Sequence, residues 1–279
     1  MNFEGILDGI IDTSRKSIAM EDGDYLVDGL LYCGKCHTKK QTTVEFMGKV
    51  RHPMCLCECA VKKREEEEKQ RKHAELMMQI ERYRKMGFPE TEMAKWNFDN
   101  DDMANKTVTG VMKNYVDNFR RFYRDGKGLL IYGNVGTGKT YAACEVANAL
   151  IDKGYPVMVT NFARLTNTLQ GMYAGKQEYI DSLNEFDLLV IDDLGAERQS
   201  DFMQEMVYTI IDARYRSGLP FIVTTNLEME EIKNPEKIGN ARIYDRVLER
   251  CFPVEVKGGS RRRKAVREDY DELKNLLGL

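Results

Sequence analysis

Eight consecutive residues of this chain, Gly133-Asn134-Val135-Gly136-Thr137-Gly138-Lys139-Thr140, have the make-up of a phosphate cradle. They fit the pattern G-x-x-x-x-G-K-[ST]. In it, glycines let backbone N–H groups turn toward an anion, and the helix that follows adds the positive end of its dipole. Lys139 reaches the β- and γ-phosphates of a nucleoside triphosphate, and the Thr140 hydroxyl ligates Mg²⁺. Tyr141, the next residue, completes the binding set. The pattern needs a buried strand before it and a helix after it, and both are legible. Gly128-Leu129-Leu130-Ile131-Tyr132 is apolar throughout, and residues 141–150 are helix formers. The stretch predicts ATP or GTP with Mg²⁺.

A second set of groups belongs with it. Phe186-Asp187-Leu188-Leu189-Val190-Ile191-Asp192-Asp193 is an apolar run ending in two aspartates, the Walker B pattern. Asp192 at the strand end holds Mg²⁺, and Asp193 stands where a carboxylate polarises an attacking water. Pro220-Phe221-Ile222-Val223-Thr224-Thr225-Asn226 is a further strand ending in polar groups, and Asn226 can hydrogen-bond that water and sense the γ-phosphate. With strands at 156–160 and 252–257 the α/β alternation predicts a five-stranded parallel sheet covered by helices on both faces. Ligands on such a sheet sit beyond the strand C-termini, where Lys139, Asp192, Asp193 and Asn226 all fall. Two arginine groups follow. Arg242, Arg246 and Arg250 lie at i, i+4, i+8 on one helical face, and one of them at a subunit edge could complete a neighbour's site. Ser260-Arg261-Arg262-Arg263-Lys264 could return an arginine to the nucleotide of its own subunit.

The elements before this domain carry different chemistry. Cys33-Gly34-Lys35-Cys36 and Cys55-Leu56-Cys57-Glu58-Cys59 are two thiol clusters about twenty residues apart, the spacing of a tetrahedral Zn²⁺ site. Five thiols exceed four ligands. Cys33 and Cys36 are the firmer pair, the choice among Cys55, Cys57 and Cys59 stays open, and His37 and His52 are not needed. A small hairpin over 42–50 fits between the clusters. The role is structural, because a module this small cannot fold on apolar burial alone. Residues 60–86 are helix formers of mixed charge that end at Gly87-Phe88-Pro89, followed by a linker carrying Trp96 and Phe98 beside the acidic Asp99-Asn100-Asp101-Asp102. The chain divides into a zinc-binding module (1–60), a charged helix and linker (61–104) and an ATPase domain (105–279).

The totals exclude several classes. With 279 residues, 42% hydrophobic and 31% charged, the chain supports packed cores. A net charge of −3 argues against a uniformly basic nucleic-acid binder. No membrane span or signal peptide is legible, so a cytoplasmic location is expected.

With these motifs in this order the domain resembles an AAA+ ATPase, and more narrowly the DnaC/DnaI helicase-loader family and its relative, the IstB transposition ATPases. The residues that carry the likeness are the 129–140 loop, Val146-Ala147-Asn148-Ala149-Leu150, Ile191-Asp192-Asp193-Leu194-Gly195-Ala196-Glu197, Thr224-Thr225-Asn226, Asp245-Arg246 and Ser260-Arg261-Arg262. The resemblance implies an arginine finger at Arg246 and a second sensor at Arg262, with Arg263 as the fallback. It implies self-association into an open ring or spiral, six subunits on a DnaB-type hexameric helicase, and transfer of that helicase to single-stranded DNA at replication initiation. The cysteine-rich module is the part that engages the helicase in DnaI-type loaders. Pore-lining segments place Arg164, Tyr173, Lys176, Arg198, Ser200 and Phe202 against DNA, aromatics on bases and cations on phosphates. Two departures from the wider AAA+ pattern stand out. Asp193 replaces a glutamate, which predicts weak hydrolysis, and too little sequence follows Arg262 for a full lid domain. Two other functions fit the same residues: an IstB-like transposition ATPase, and a nucleotide-gated helicase adaptor with negligible turnover.

Overall fold

Two-residue turns at positive φ organise the first segment of the computed structural model, which describes residues 20–88, 90–102, 104–195, 201–261, 270, 273, 274, 276 and 277. Asp28 and Gly29, at φ 49° and 77°, join β1 (Tyr25–Val27) to β2 (Leu30–Tyr32). Met47 and Gly48, at 52° and 71°, join β3 (Val44–Phe46) to β4 (Lys49–Arg51). Both pairs are antiparallel, and the turn geometry matches the right-handed twist of the strands. The second hairpin is the one expected between the thiol clusters. Lys40 ties the segment together through ion pairs to Asp24 at 2.6 Å and Glu21 at 2.8 Å.

A 30-residue helix, α1 (Glu58–Gly87), follows. The chain divides into two compact units, and the division falls inside this helix, between Glu75 and Leu76. Its first half is solvated and carries i,i+4 pairs, Glu68–Lys72 at 2.7 Å among them. Further along, Ile80 and Tyr83 pack into the core of the second unit. Gly87 ends the helix where only hydrogen fits, since a Cβ there would lie 2.4 Å from the Val157 carbonyl oxygen.

The second unit is built on five parallel strands. They are β5 (Gly128–Tyr132), β6 (Val157–Asn161), β7 (Leu188–Leu194), β8 (Phe221–Thr225) and β9 (Cys251–Glu255). Their order across the sheet is β6-β7-β8-β5-β9. The central strands are buried on both faces, so their sequences read as continuous apolar runs. One face is covered by α2 (Lys106–Asp117), α3 (Phe119–Asp125) and α4 (Lys139–Asp152), packed through Met112, Tyr115, Phe119, Val146 and Leu150. The other face is covered by α5 (Phe162–Gly171), α6 (Lys176–Ser182), α7 (Asp201–Ser217) and α9 (Ile238–Arg250), with α8 (Met229–Lys233) between them. Phe162, Leu165, Ile210, Ile211 and Val247 fill that side.

The largest side chain in this second core is a cation. Arg214 on α7 is 1% exposed, and its guanidinium donates to the carbonyls of Leu183, Asp187 and Pro220 at 2.8–3.3 Å. Burial lowers its pKa to about 10, which still leaves it charged at neutral pH. The guanidinium joins the connection before β7 to the residue before β8. Arg214→Met keeps much of the volume and orphans those acceptors, at about 1–3 kcal/mol each. A fall in unfolding free energy of about 3 kcal/mol in urea titration is the expected result, and a fall below about 1 kcal/mol would contradict this account.

Candidate functional site

The cradle forms where the sequence places it, in the turn from β5 into α4. Gly136 and Gly138 sit at φ 83° and 101°, in the region L side chains avoid, and each is also overlaid by a later part of the chain. A Cβ on Gly136 would meet the Ser260 hydroxyl oxygen, and one on Gly138 would meet the Arg261 guanidinium at 3.3 Å. Asn134 and Val135 are exposed at the tip. Lys139 is buried, and its ammonium donates to the carbonyls of Gly133 and Asn134, both at 2.8 Å, and to Asn226 Oδ1 at 2.6 Å.

The acidic strand end lies against this loop. Asp192 accepts from the Thr140 hydroxyl at 3.1 Å on one carboxylate oxygen and from Thr224 on the other. Burial pushes its carboxyl upward, and hydrogen bonds from Thr224 and Thr140 and the nearby Lys139 charge work against that shift. A divalent cation is the charge such a carboxylate would favour. Register with β8 is lost between Ile191 and Leu194, which places a bulge at Asp192-Asp193. Asp193 takes the left-handed conformation at φ 58°, is exposed, and anchors its backbone N–H on the Thr224 hydroxyl at 3.0 Å. Bulges re-aim side chains, and this one turns two successive aspartates into one buried and one solvent-facing carboxylate. Asn226 spans the pair of motifs, accepting from Lys139 and lying 3.5 Å from Asp193 Oδ1. Lys139, Thr140, Asp192, Asp193 and Asn226 therefore converge at the C-terminal ends of β5, β7 and β8.

Three residues of the site escape sequence reasoning. Thr224 positions both aspartates but reads as one more β-branched strand residue. Arg261 overlies the loop: its N–H donates to the Gly136 carbonyl at 2.8 Å, and its guanidinium lies 3.2 Å from Asp102 and 4.0 Å from Asp101. Arg262 and Arg263 lie outside the described residues. The third is Glu145, one turn beyond Tyr141 on α4. Glu145 is 2% exposed, and its Oε1 has no hydrogen-bond partner.

The linker supplies the rest of this corner. Trp96 stacks on Tyr141 with ring centroids 5.6 Å apart, and Asn148 donates to the carbonyls of Met93 and Trp96. Trp96 and Phe98 pack into the core beside α2 and α4. Burial, with Asp101 adding to it, pushes the Glu145 carboxyl from 4.5 up to about 8. The folded chain thus keeps a proton that the unfolded chain releases at lower pH. Stability from this group is complete below about pH 4.5 and is lost as pH rises through about 8. Glu145→Gln removes that loss. The variant is expected to exceed the wild type in urea midpoint at pH 9 and to converge on it at pH 5. Parallel midpoints across that range would refute the assignment.

Arg246 is not aimed at the loop of its own chain. It bonds Asp212 at 2.7 Å and the Tyr208 hydroxyl at 2.9 Å, and it lies over the rings of Tyr208 and Tyr215. Arg250 also lies over the Tyr215 ring, while Arg242 is exposed. Of the residues expected on DNA, Arg164, Tyr173, Lys176 and Phe202 are all exposed, and Arg198 and Ser200 lie outside the described residues. Tyr173 and Phe202 are not core aromatics.

In the first unit, the thiols of Cys33, Cys36, Cys57 and Cys59 lie within 4.8 Å of one another. Cys55 points elsewhere, toward the Lys39 carbonyl. His37 and His52 bond Tyr25 and Thr43 instead. Gly34 lies against the backbone of Gly23, where a Cβ would collide. The Thr38 hydroxyl lowers the Cys36 thiol to about 5, and hydrogen bonding within the cluster raises Cys59 to about 12. Four thiols so close, two of them buried, fit a soft tetrahedral cation.

A parallel sheet with one strand between the loop-bearing and acid-bearing strands, and this site at its C-terminal edge, defines a P-loop ATPase of the AAA+ class. The chain belongs to the family of IstB-like ATP binding proteins, whose pattern matches residues 56–269. It is similar to the replicative helicase loader DnaI of Bacillus subtilis (strain 168), with 26% identity over 222 residues covering 74% of this chain and 68% of DnaI. It is also similar to the replicative helicase loader DnaC of Escherichia coli (strain K12), 28% identical over 141 residues. That match spans 48% of this chain and only about half, 54%, of DnaC. Among solved structures, the crystal structure of DnaI covers 62% of this chain and 96% of its own, with 25% identity and a TM-score of 0.52. Among the described residues no helix is long and apolar enough to cross a membrane.

Proposed function

We propose that this protein is an ATP-dependent loader that places a DnaB-type hexameric helicase on single-stranded DNA at replication initiation. The observation that carries the reading is the likeness to DnaI across 74% of the chain. In this mechanism Lys139 holds the β- and γ-phosphates, Thr140 and Asp192 hold Mg²⁺, and Asp193 with Asn226 orients the attacking water. ATP bound in this loop supplies the energy of assembly, and turnover is slow. Arg246 serves a neighbouring subunit of an open ring or spiral of six, which requires it to exchange Asp212 for a phosphate. Arg164, Tyr173, Lys176 and Phe202 line the strand path with Arg198 and Ser200. Zn²⁺ on Cys33, Cys36, Cys57 and Cys59 holds the first unit in the form that grips the helicase.

The test is the rate of ATP hydrolysis with and without single-stranded DNA and the helicase, in the wild type, Lys139→Ala and Arg246→Ala. Stimulated hydrolysis that both variants lose supports the loader. Helicase binding with no hydrolysis under any condition leaves a nucleotide-gated adaptor. Capture of a transposase in place of a helicase leaves the IstB-like transposition ATPase.

A further inference from the structure

The corner where the linker, α4 and residues 260–261 meet holds more charge than nucleotide binding needs. Asp101 is 2% exposed at its side chain and accepts from the Thr109 hydroxyl at 2.6 Å. Glu145 is buried beside it with one oxygen unpartnered. Asp102 lies at the surface of the same cluster. Among the described residues, two cations stand near this cluster. Lys113 reaches over the Phe98 ring, and Arg261 contacts Asp102 and approaches Asp101. The Arg261 guanidinium at the same time overlies Gly138 of the phosphate cradle, where an added Cβ would meet it at 3.3 Å.

One guanidinium thus stands between two anions. On one side are the linker aspartates, and on the other is the place a triphosphate occupies. We propose that Arg261 is a latch that binds the linker through Asp101 and Asp102 and is drawn from it by the phosphates of a bound nucleoside triphosphate, so that nucleotide binding loosens residues 96–102 from α4. The proposal rests on the nucleotide reading above.

Three physical points support the exchange. A triphosphate presents several charged oxygens in the fork geometry that suits arginine, against a single contact to Asp102. The Arg261 backbone is fixed by its own bond to Gly136, so the side chain can change partner without the chain moving. Once the guanidinium leaves, Asp101 and Asp102 lose the cation that joins them to the turn at 260–261. The linker contacts that remain include the Trp96–Tyr141 stack, the bonds from Asn148 and the Tyr141 hydroxyl, the Thr109–Asp101 bond and the packing of Phe98. By reciprocity, whatever weakens the latch must tighten the nucleotide.

Trp96 is the single tryptophan of the chain, so its fluorescence reports on the linker directly. The full-length protein is titrated with a non-hydrolysable ATP analogue and Mg²⁺, with acrylamide quenching of Trp96 and calorimetric affinity read in parallel. In the wild type, saturating nucleotide is expected to raise the quenching constant at least twofold. Arg261→Ala is expected to show the raised value without nucleotide and no further rise with it. Asp102→Asn, a substitution at an exposed side chain, is expected to bind the analogue about threefold more tightly. Unchanged quenching in a wild type that calorimetry shows to be saturated would overturn the latch. So would a nucleotide-dependent rise that persists in Arg261→Ala, because base contact alone would then explain it. Failure of the wild type to bind the analogue at all would reject the nucleotide reading, and the latch with it.

Discussion

Lys139→Ala is expected to lower the rate of ATP hydrolysis at least a hundredfold. The ammonium is held before any phosphate arrives, by two loop carbonyls and Asn226 within 2.8 Å, so it needs no reorganisation to meet charge on a transferring phosphoryl group. Removing one preorganised donor from such a site costs about 10²–10³ in rate. The same substitution strips a partner from Asn226, which then lies near Asp193 alone, so water orientation suffers together with phosphate binding. Single-turnover hydrolysis of radiolabelled ATP checks the rate, and a thermal melt checks that the variant is folded. A loss smaller than tenfold in a folded variant would remove Lys139 from the role assigned to it.

Removing zinc is expected to unfold the first unit and leave the second intact. Among the described residues of that unit, Leu31 is the one buried aliphatic side chain, accompanied by the thiols of Cys33 and Cys57. Tyr25, Leu26, Phe46, Met47 and Val50 are exposed on its hairpins, so apolar burial contributes little. A structural Zn²⁺ contributes about 10–16 kcal/mol of apparent binding free energy at neutral pH, which in such a module is the folding free energy. Chelation should raise amide exchange across 24–57 by at least a hundredfold while α4 and β5 keep their protection. Metal analysis of variants separates the thiols: Cys57→Ser should lose the ion, and Cys55→Ser should retain one per chain. Equal metal content in the two variants would contradict the ligand set.

Much of this architecture was legible in the residues because its signals are local. The cradle, the acidic strand end and the five apolar runs each declare themselves within ten residues, and the structure moves their limits by only one or two. The hairpin between the thiol clusters was legible for the same reason. The Asp28-Gly29 turn carries an equally plain local signal, but the strands that flank it are only three residues each. What stayed hidden depends on chain segments far apart in sequence. Nothing near Arg261 says that it, in a run of three arginines, lies on Gly138. Cys55 is separated from Cys57 by one residue, and only the path of the chain beyond β4 turns it away from the other thiols. Arg214 looks like one more charged residue on an amphipathic helix, and its burial is decided by carbonyls from two connections, the one before β7 and the one before β8.

The bulge at Asp192-Asp193 bears on how such an enzyme could be retuned. Left-handed backbone costs a non-glycine residue about 1–2 kcal/mol, and aspartate tolerates it better than most. A glutamate at 193 would carry a longer side chain into the same strained conformation, with its reach starting from a backbone already advanced by the extra residue of the bulge. Reach here is set by residue count in the strand as much as by side-chain length.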